Sequence, residues 1–177
     1  MEENGMQFDA IVAFPFGTRT EPLSANWHIA MRAVTLAVEY GLPLAAHVRI
    51  PIKKVTASPY GVTSLSEEPR LFDGRTVFDA ASSFYACAEQ EMWRNILVVA
   101  APIINERCVR DIDRVGGAGR FQLKLETALA KLDDRSWFGR DDRFLVRHPI
   151  LCAFWEVVLC VVPWPVYRQF ARTRRGK

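Results

Sequence analysis

The chain has 177 residues, half of them hydrophobic and 24% charged, with a formal net charge of +3. That length suits one domain, taken here as residues 1–177, with a core of its own, and the charge content argues against global disorder. The mild basic excess gathers in a tail over residues 168–177 (Arg168, Arg172, Arg174, Arg175, Lys177), which reads as a solvated end or as an attractor of anionic lipid or nucleic acid.

Residues 1–9 carry Glu2, Glu3 and Asp9 and no apolar stretch, so no secretory signal peptide is expected there. Asp9 to Phe14 is a short apolar run ended by Pro15, the pattern of a buried parallel strand. A loop from Phe14 to Ser24 follows. Ser24 is placed to cap a helix that carries Trp27, Met31, Val34 and Val38 at helical spacing and stops at Gly41. Leu44 to Ile50 reads as a second strand stopped by Pro51. Residues 51–74 are rich in Pro, Gly, Ser and Thr and read as loop, with one short strand around Val62 to Leu65.

Thr76 to Trp93 is a strong helix, with a capping pair at Thr76 and Asp79 and an apolar face of Val77, Ala80, Ala81, Phe84, Ala88 and Met92. Asn95 to Ala101 is the best central strand. Pro102 ends it, Asn105 is a candidate cap, and Glu106 to Val115 forms a helix that stops at Gly116-Gly117. Residues 120–135 fit either a strand at Phe121 to Leu125 or a helix at Leu123 to Leu132. Asp133 to Asp142 is a polar loop, and a last helix over 144–162 is expected to pack on the core. The alternation of strands and helices predicts an α/β domain with a mainly parallel sheet and helices on both faces.

The apolar run from Pro149 to Tyr167 is the one membrane candidate. Glu156 in its middle and Pro163 and Pro165 near its end favour a core helix over a spanning one. Trp155, Trp164 and Tyr167 leave an interfacial helix open, and with it a peripheral membrane contact. Cys87, Cys108, Cys152 and Cys160 form no C-x-x-C pair. Cys152 and Cys160 are eight residues apart, roughly 12 Å on one helix, too far to bridge. Free thiols in a reducing, cytoplasmic compartment are expected. His28, His47 and His148 have no metal-ligand spacing.

In a parallel sheet, ligands bind beyond the carboxyl ends of the strands. The polar groups expected there include Thr18, Arg19, Thr20, Glu21, Ser24, Lys53, Lys54, Asn105, Glu106 and Arg107. Cations outnumber carboxylates in this set, so a small anionic ligand is expected rather than a specific nucleic acid, with Arg19 and Arg107 as the clamp. No G-x-G-x-x-G follows the first strand, and no phosphate-loop lysine motif is present. Gly116-Gly117-Ala118-Gly119 follows a helix and reads as a stop and turn.

Two stretches together resemble a known family. Asp9-Ala-Ile-Val, Gly17, Arg32 ahead of Ala33-Val-Thr-Leu-Ala, and Gly41 are similar to the opening of the YdcF/SanA-like proteins, which carry the domain of unknown function numbered 218. Thr76, Ala80, Trp93, Ile96-Leu-Val-Val and Arg107 fall where that family has a threonine-led helix, a buried strand and an arginine after it. The resemblance covers about residues 9 to 115. It implies a Rossmann-like three-layer α/β sandwich and a cleft for a nucleotide-like ligand, S-adenosylmethionine being the one usually mentioned. For some members it implies a role in bacterial envelope physiology. The chain departs from the pattern at Ile104, where the family has a histidine, at Phe78, where it has an acid, and at Ile50-Pro51, where it has a glycine pair. Most of the family's acid–base groups are thereby gone, and the reaction, if any, stays open. Gly17, Arg32, Thr76 and Arg107 are the carried-over positions. Together with Thr18, Arg19, Ser24 and Asn105 they make up the expected ligand site. Arg32 has a plain alternative as an ion-pair partner of Glu39 or Asp79.

Overall fold

Asp9 joins the starts of two strands. Its carboxylate accepts from the backbone amides of Arg94 and Asn95 at 2.8 and 2.7 Å, and its own amide donates to the Asn95 carbonyl. The strands that begin there are β1 (Ala10–Ala13) and β4 (Asn95–Val99), paired in parallel with Val12 opposite Val98. The computed structural model describes residues 7–57, 65–132, 137–138 and 148–172, the side chains of 170–172 excepted.

Within them lies one all-parallel sheet of five strands in the order β3-β2-β1-β4-β5, where β2 is Leu44–His47, β3 is Arg70–Phe72 and β5 is Gln122–Leu125. Helices α1 (Ala25–Tyr40) and α2 (Ile52–Thr56) pack together, as do α3 (Val77–Gln90) and α4 (Asn105–Gly116). The architecture is the expected three-layer, Rossmann-like α/β sandwich. The chain order reverses between β1 and β4, because the crossovers after β1 and β2 build outward on one side and those after β3 and β4 on the other. A crevice forms at such a switch point.

Ser24, buried, caps α1 by accepting from the Trp27 amide, and Gly41 ends the helix at φ 65°. The face of α1 on the sheet keeps Val34 of the expected stripe, with Trp27 and Met31 half-buried beside it. The face is Ile29, Ala30, Ala33, Val34, Leu36 and Ala37, whose alanines let the helix lie close to the strands, while Val38 is exposed. Thr76 caps α3 as expected, accepting from the Asp79 amide at 3.1 Å. The buried face of α3 includes Phe78 and Phe84, and Met92 is exposed.

The strand predicted over 44–50 stops at His47. The backbone turns there because His47 Nδ1 accepts from the Arg49 amide and the Ile50 amide donates to the His47 carbonyl. Pro51 then opens α2, which loop composition concealed. The short strand expected at Val62 to Leu65 falls mostly outside the described residues, and the third strand lies at Arg70–Phe72 instead. Asn105 does not cap α4. It sits inside its first turn, after a 3-10 turn at Pro102–Ile104. The open choice at 120–135 resolves into β5 and a short 3-10 turn at Ala128–Lys131. Of the expected polar loop only Trp137 and Phe138 are described, and both rings meet Phe16 edge-on.

The last helix is shorter than predicted and meets the core through one side chain, Cys152. Residues 144–147 lie outside the described set, and α5 (Pro149–Val161) buries only Cys152, so it covers the domain rather than filling its core. A break at Val162-Pro163 leads to α6 (Trp164–Arg172), where a tail was expected from 168; residues 173–177 lie outside the described set. Pro165 is tolerated because the first turn of a helix needs no amide there. Tyr167 anchors α6: its hydroxyl donates to Asp111 of α4 at 2.6 Å, and its ring carries the Arg110 guanidinium at 4.7 Å. Arg110 also donates to Asp111 and to the Leu159 carbonyl of α5, so one buried cluster pins both C-terminal helices to α4.

Candidate functional site

A cavity of about 420 Å³ opens at the carboxyl end of the sheet, a volume suited to a small ligand. Its floor is Phe14, whose ring packs against Phe72 and Phe84 at 5.4 and 6.2 Å. The loop after β1 supplies Phe16, Gly17 and Thr18, with Gly17 at φ 72°. That loop is shaped by Asn26, which has no exposed surface. Its side chain accepts from the Phe16 amide at 2.8 Å and donates to the Arg19 carbonyl at 2.7 Å. Asn26 escaped sequence reasoning; the available signal was a polar residue on the second position of an apolar helix, where it faces back toward the loop.

The ends of β2 and β3 add His47, Arg49, Gly74 and Arg75, and the start of α3 adds Thr76 and Val77. His47 is buried and has both nitrogens engaged: Nε2 lies 2.9 Å from the Gly74 carbonyl, while Nδ1 accepts from the Arg49 amide. Burial lowers its pKa, and the Gly74 carbonyl only partly offsets this, so the ring is neutral with its proton on Nε2. It ties the ends of β2 and β3 together and has no nitrogen left for proton transfer.

The fourth wall comes from α4 and α5. Arg107 Nη2 and Glu156 Oε1 are 3.0 Å apart, with side chains 16% and 13% exposed. Arg107 Nε and Glu156 Oε2 are both buried and without a hydrogen-bond partner. Burial drives the Glu156 pKa up, and Arg107 only partly counters it. Cys152 stands one turn away, its thiol pushed up to about 11 by burial and by Glu156, which favours the protonated form at neutral pH. Among the described titratable groups on the walls, three arginines face one glutamate.

Of the expected ligand residues, the fold brings Gly17, Thr18, Thr76 and Arg107 to this cavity; Arg19, Ser24, Arg32 and Asn105 are not on its walls. Arg19 pairs with Glu21 at 3.6 Å, so the expected Arg19–Arg107 clamp is not assembled. Ser24 is committed to capping α1. Arg32 pairs with Glu126 at 3.2 Å, not with Glu39 or Asp79, and Glu126 is held in turn by the Ala128 amide. His28 and the pair Lys53 and Lys54 also stand away from the walls. Sequence reasoning missed His47, Arg49 and Arg75, because the strand ends beside them are short and lack a recognisable motif, and the inward role of Glu156, because its partner on α4 is remote in the chain. The chain matches no family model, and no curated protein or solved structure matches it at a significant level.

Proposed function

We propose that this chain is a divergent relative of the YdcF/SanA-like proteins and that its cavity binds a small anionic, nucleotide-like molecule. The observation that supports this best is the composition and place of the cavity. It lies at the switch point between β1 and β4, and among the described residues Arg49, Arg75 and Arg107 stand on its walls with Glu156 as the one carboxylate. The amide end of α3 at Thr76 and Val77 adds positive potential on the same side. Arg49 and Arg75 stand on the walls beside the Arg107–Glu156 pair and are the cations assigned to the ligand, with the Gly17 backbone able to approach it closely. The neutral, doubly engaged His47 and the protonated Cys152 favour binding over a reaction.

Isothermal titration with AMP, ATP and S-adenosylmethionine tests the reading. At least one nucleotide binds the parent chain, and Arg49→Ala and Arg75→Ala each weaken it about tenfold. Arg19→Ala leaves it unchanged. If none of the three ligands binds the parent, or if both cavity variants bind as the parent does, the reading is wrong.

A further inference from the structure

Ile150, Phe154, Val157 and Val161 of α5 are 84%, 62%, 65% and 74% exposed. Their spacings of four, three and four residues place them in one stripe along the helix. Cys152, Trp155, Glu156 and Leu159, which wall the cavity, fall on the opposite side of the same helix. The helix is therefore apolar on both faces, and its one charged side chain, Glu156, is turned inward onto Arg107. A helix on the outside of a soluble domain presents polar residues to water. Here four large apolar side chains form a continuous outer stripe instead.

The surrounding charge identifies what covers it. From Val157 to Lys177 the chain has no Asp or Glu and carries Arg168, Arg172, Arg174, Arg175 and Lys177. An uncharged apolar stripe continued by a purely cationic segment complements a bilayer with anionic head groups: the acyl boundary takes the stripe and the head groups take the arginines. No described helix is long and apolar enough to cross a membrane, so α5 would lie in the plane of the surface.

We propose that the outer face of α5 docks on an anionic membrane surface, with Phe154 and Val157 as the main inserted side chains and the following arginines as the electrostatic anchor. Flotation of the full chain with lipid vesicles tests it. The chain floats with vesicles of phosphatidylcholine and phosphatidylserine, stays behind with phosphatidylcholine alone, and is released by high salt. Phe154→Asp combined with Val157→Asp lowers the partition coefficient by about a hundredfold or more, with an unchanged circular dichroism spectrum because both side chains are exposed. A parent chain that does not float with the mixed vesicles overturns the proposal, as does a double variant that floats like the parent. A dimer in sedimentation velocity that the double variant dissolves, without flotation, assigns the face to a second copy instead.

Discussion

Arg107 and Glu156 meet at 3.0 Å across the top of the cavity, joining α4, which follows β4, to α5, which covers the cavity. Both side chains are more than four-fifths buried, and each keeps one polar atom without a partner. Two desolvated charges in that state contribute little net stability together, and either one alone is costly. Arg107→Met and Glu156→Met are each expected to destabilise by about 3 kcal/mol, because each leaves a lone buried charge. The double variant is expected within about 1 kcal/mol of the parent. Urea denaturation of the four proteins closes the cycle. Additive single losses would show that the two groups are not energetically coupled.

The same glutamate sets a pH dependence. Burial holds its pKa above the ordinary carboxylate range in the folded chain. The native state therefore binds a proton more tightly than the unfolded one. The cost of its charge is absent below the unfolded pKa and appears as pH rises through the folded value. The stability of the parent relative to Glu156→Gln is thus expected to increase as pH falls from neutral toward the ordinary carboxylate pKa, by about 1.4 kcal/mol for each unit of upward shift. Acids remote from Glu156 cancel in the difference, while the buried Asp111 is coupled to it and adds to the upward shift. Denaturation midpoints of both proteins across that range supply the test, and a difference that stays constant with pH would remove Glu156 as its source.

Glu156 also shows where sequence reading succeeds and where it stops. Its place inside an apolar run correctly argued against a spanning helix, but nothing near it in the chain pointed to Arg107, 49 residues away. The strands β1 and β4 were legible because each is a short run buried on both faces and closed by a special residue or turn. The caps at Ser24 and Thr76 were legible because capping is chemistry within one turn. The cavity was legible only in part. Gly17 follows β1, Thr76 caps α3 and Arg107 stands in the first turn of α4, all elements read from the sequence, whereas His47 and Arg49 were placed inside the strand expected over 44–50 and Arg75 follows β3, which was not expected at 70–72. Arg19 was drawn to the site by charge and Arg32 by the resemblance, and Glu21 and Glu126 hold them elsewhere.

Gly74 is the position where the cavity wall tolerates least. A Cβ there would lie 2.2 Å from the Ala80 amide nitrogen, 2.6 Å from Ala80 Cα and 2.7 Å from the Asp79 carbonyl carbon. All three are backbone atoms of α3, so no side chain can swing away to relieve the clash. The loop must move instead, and the Gly74 carbonyl that meets His47 Nε2 at 2.9 Å must move with it. Gly74→Ala is therefore expected to cost about 3 kcal/mol, the upper end for overpacking a filled site. It should also release His47, raising the imidazole pKa toward its ordinary value as the ring gains water. Gly119→Ala is the control. Gly119 has φ +76° and open space around it, so alanine there carries only the strain of a left-handed backbone, about 1 kcal/mol. Thermal melts rank the two variants, and a proton NMR titration of the histidines follows His47. Equal losses in the two glycine variants would mean that the loop yields without strain, and the close packing of Gly74 on α3 would then not be what holds the wall of the cavity in place.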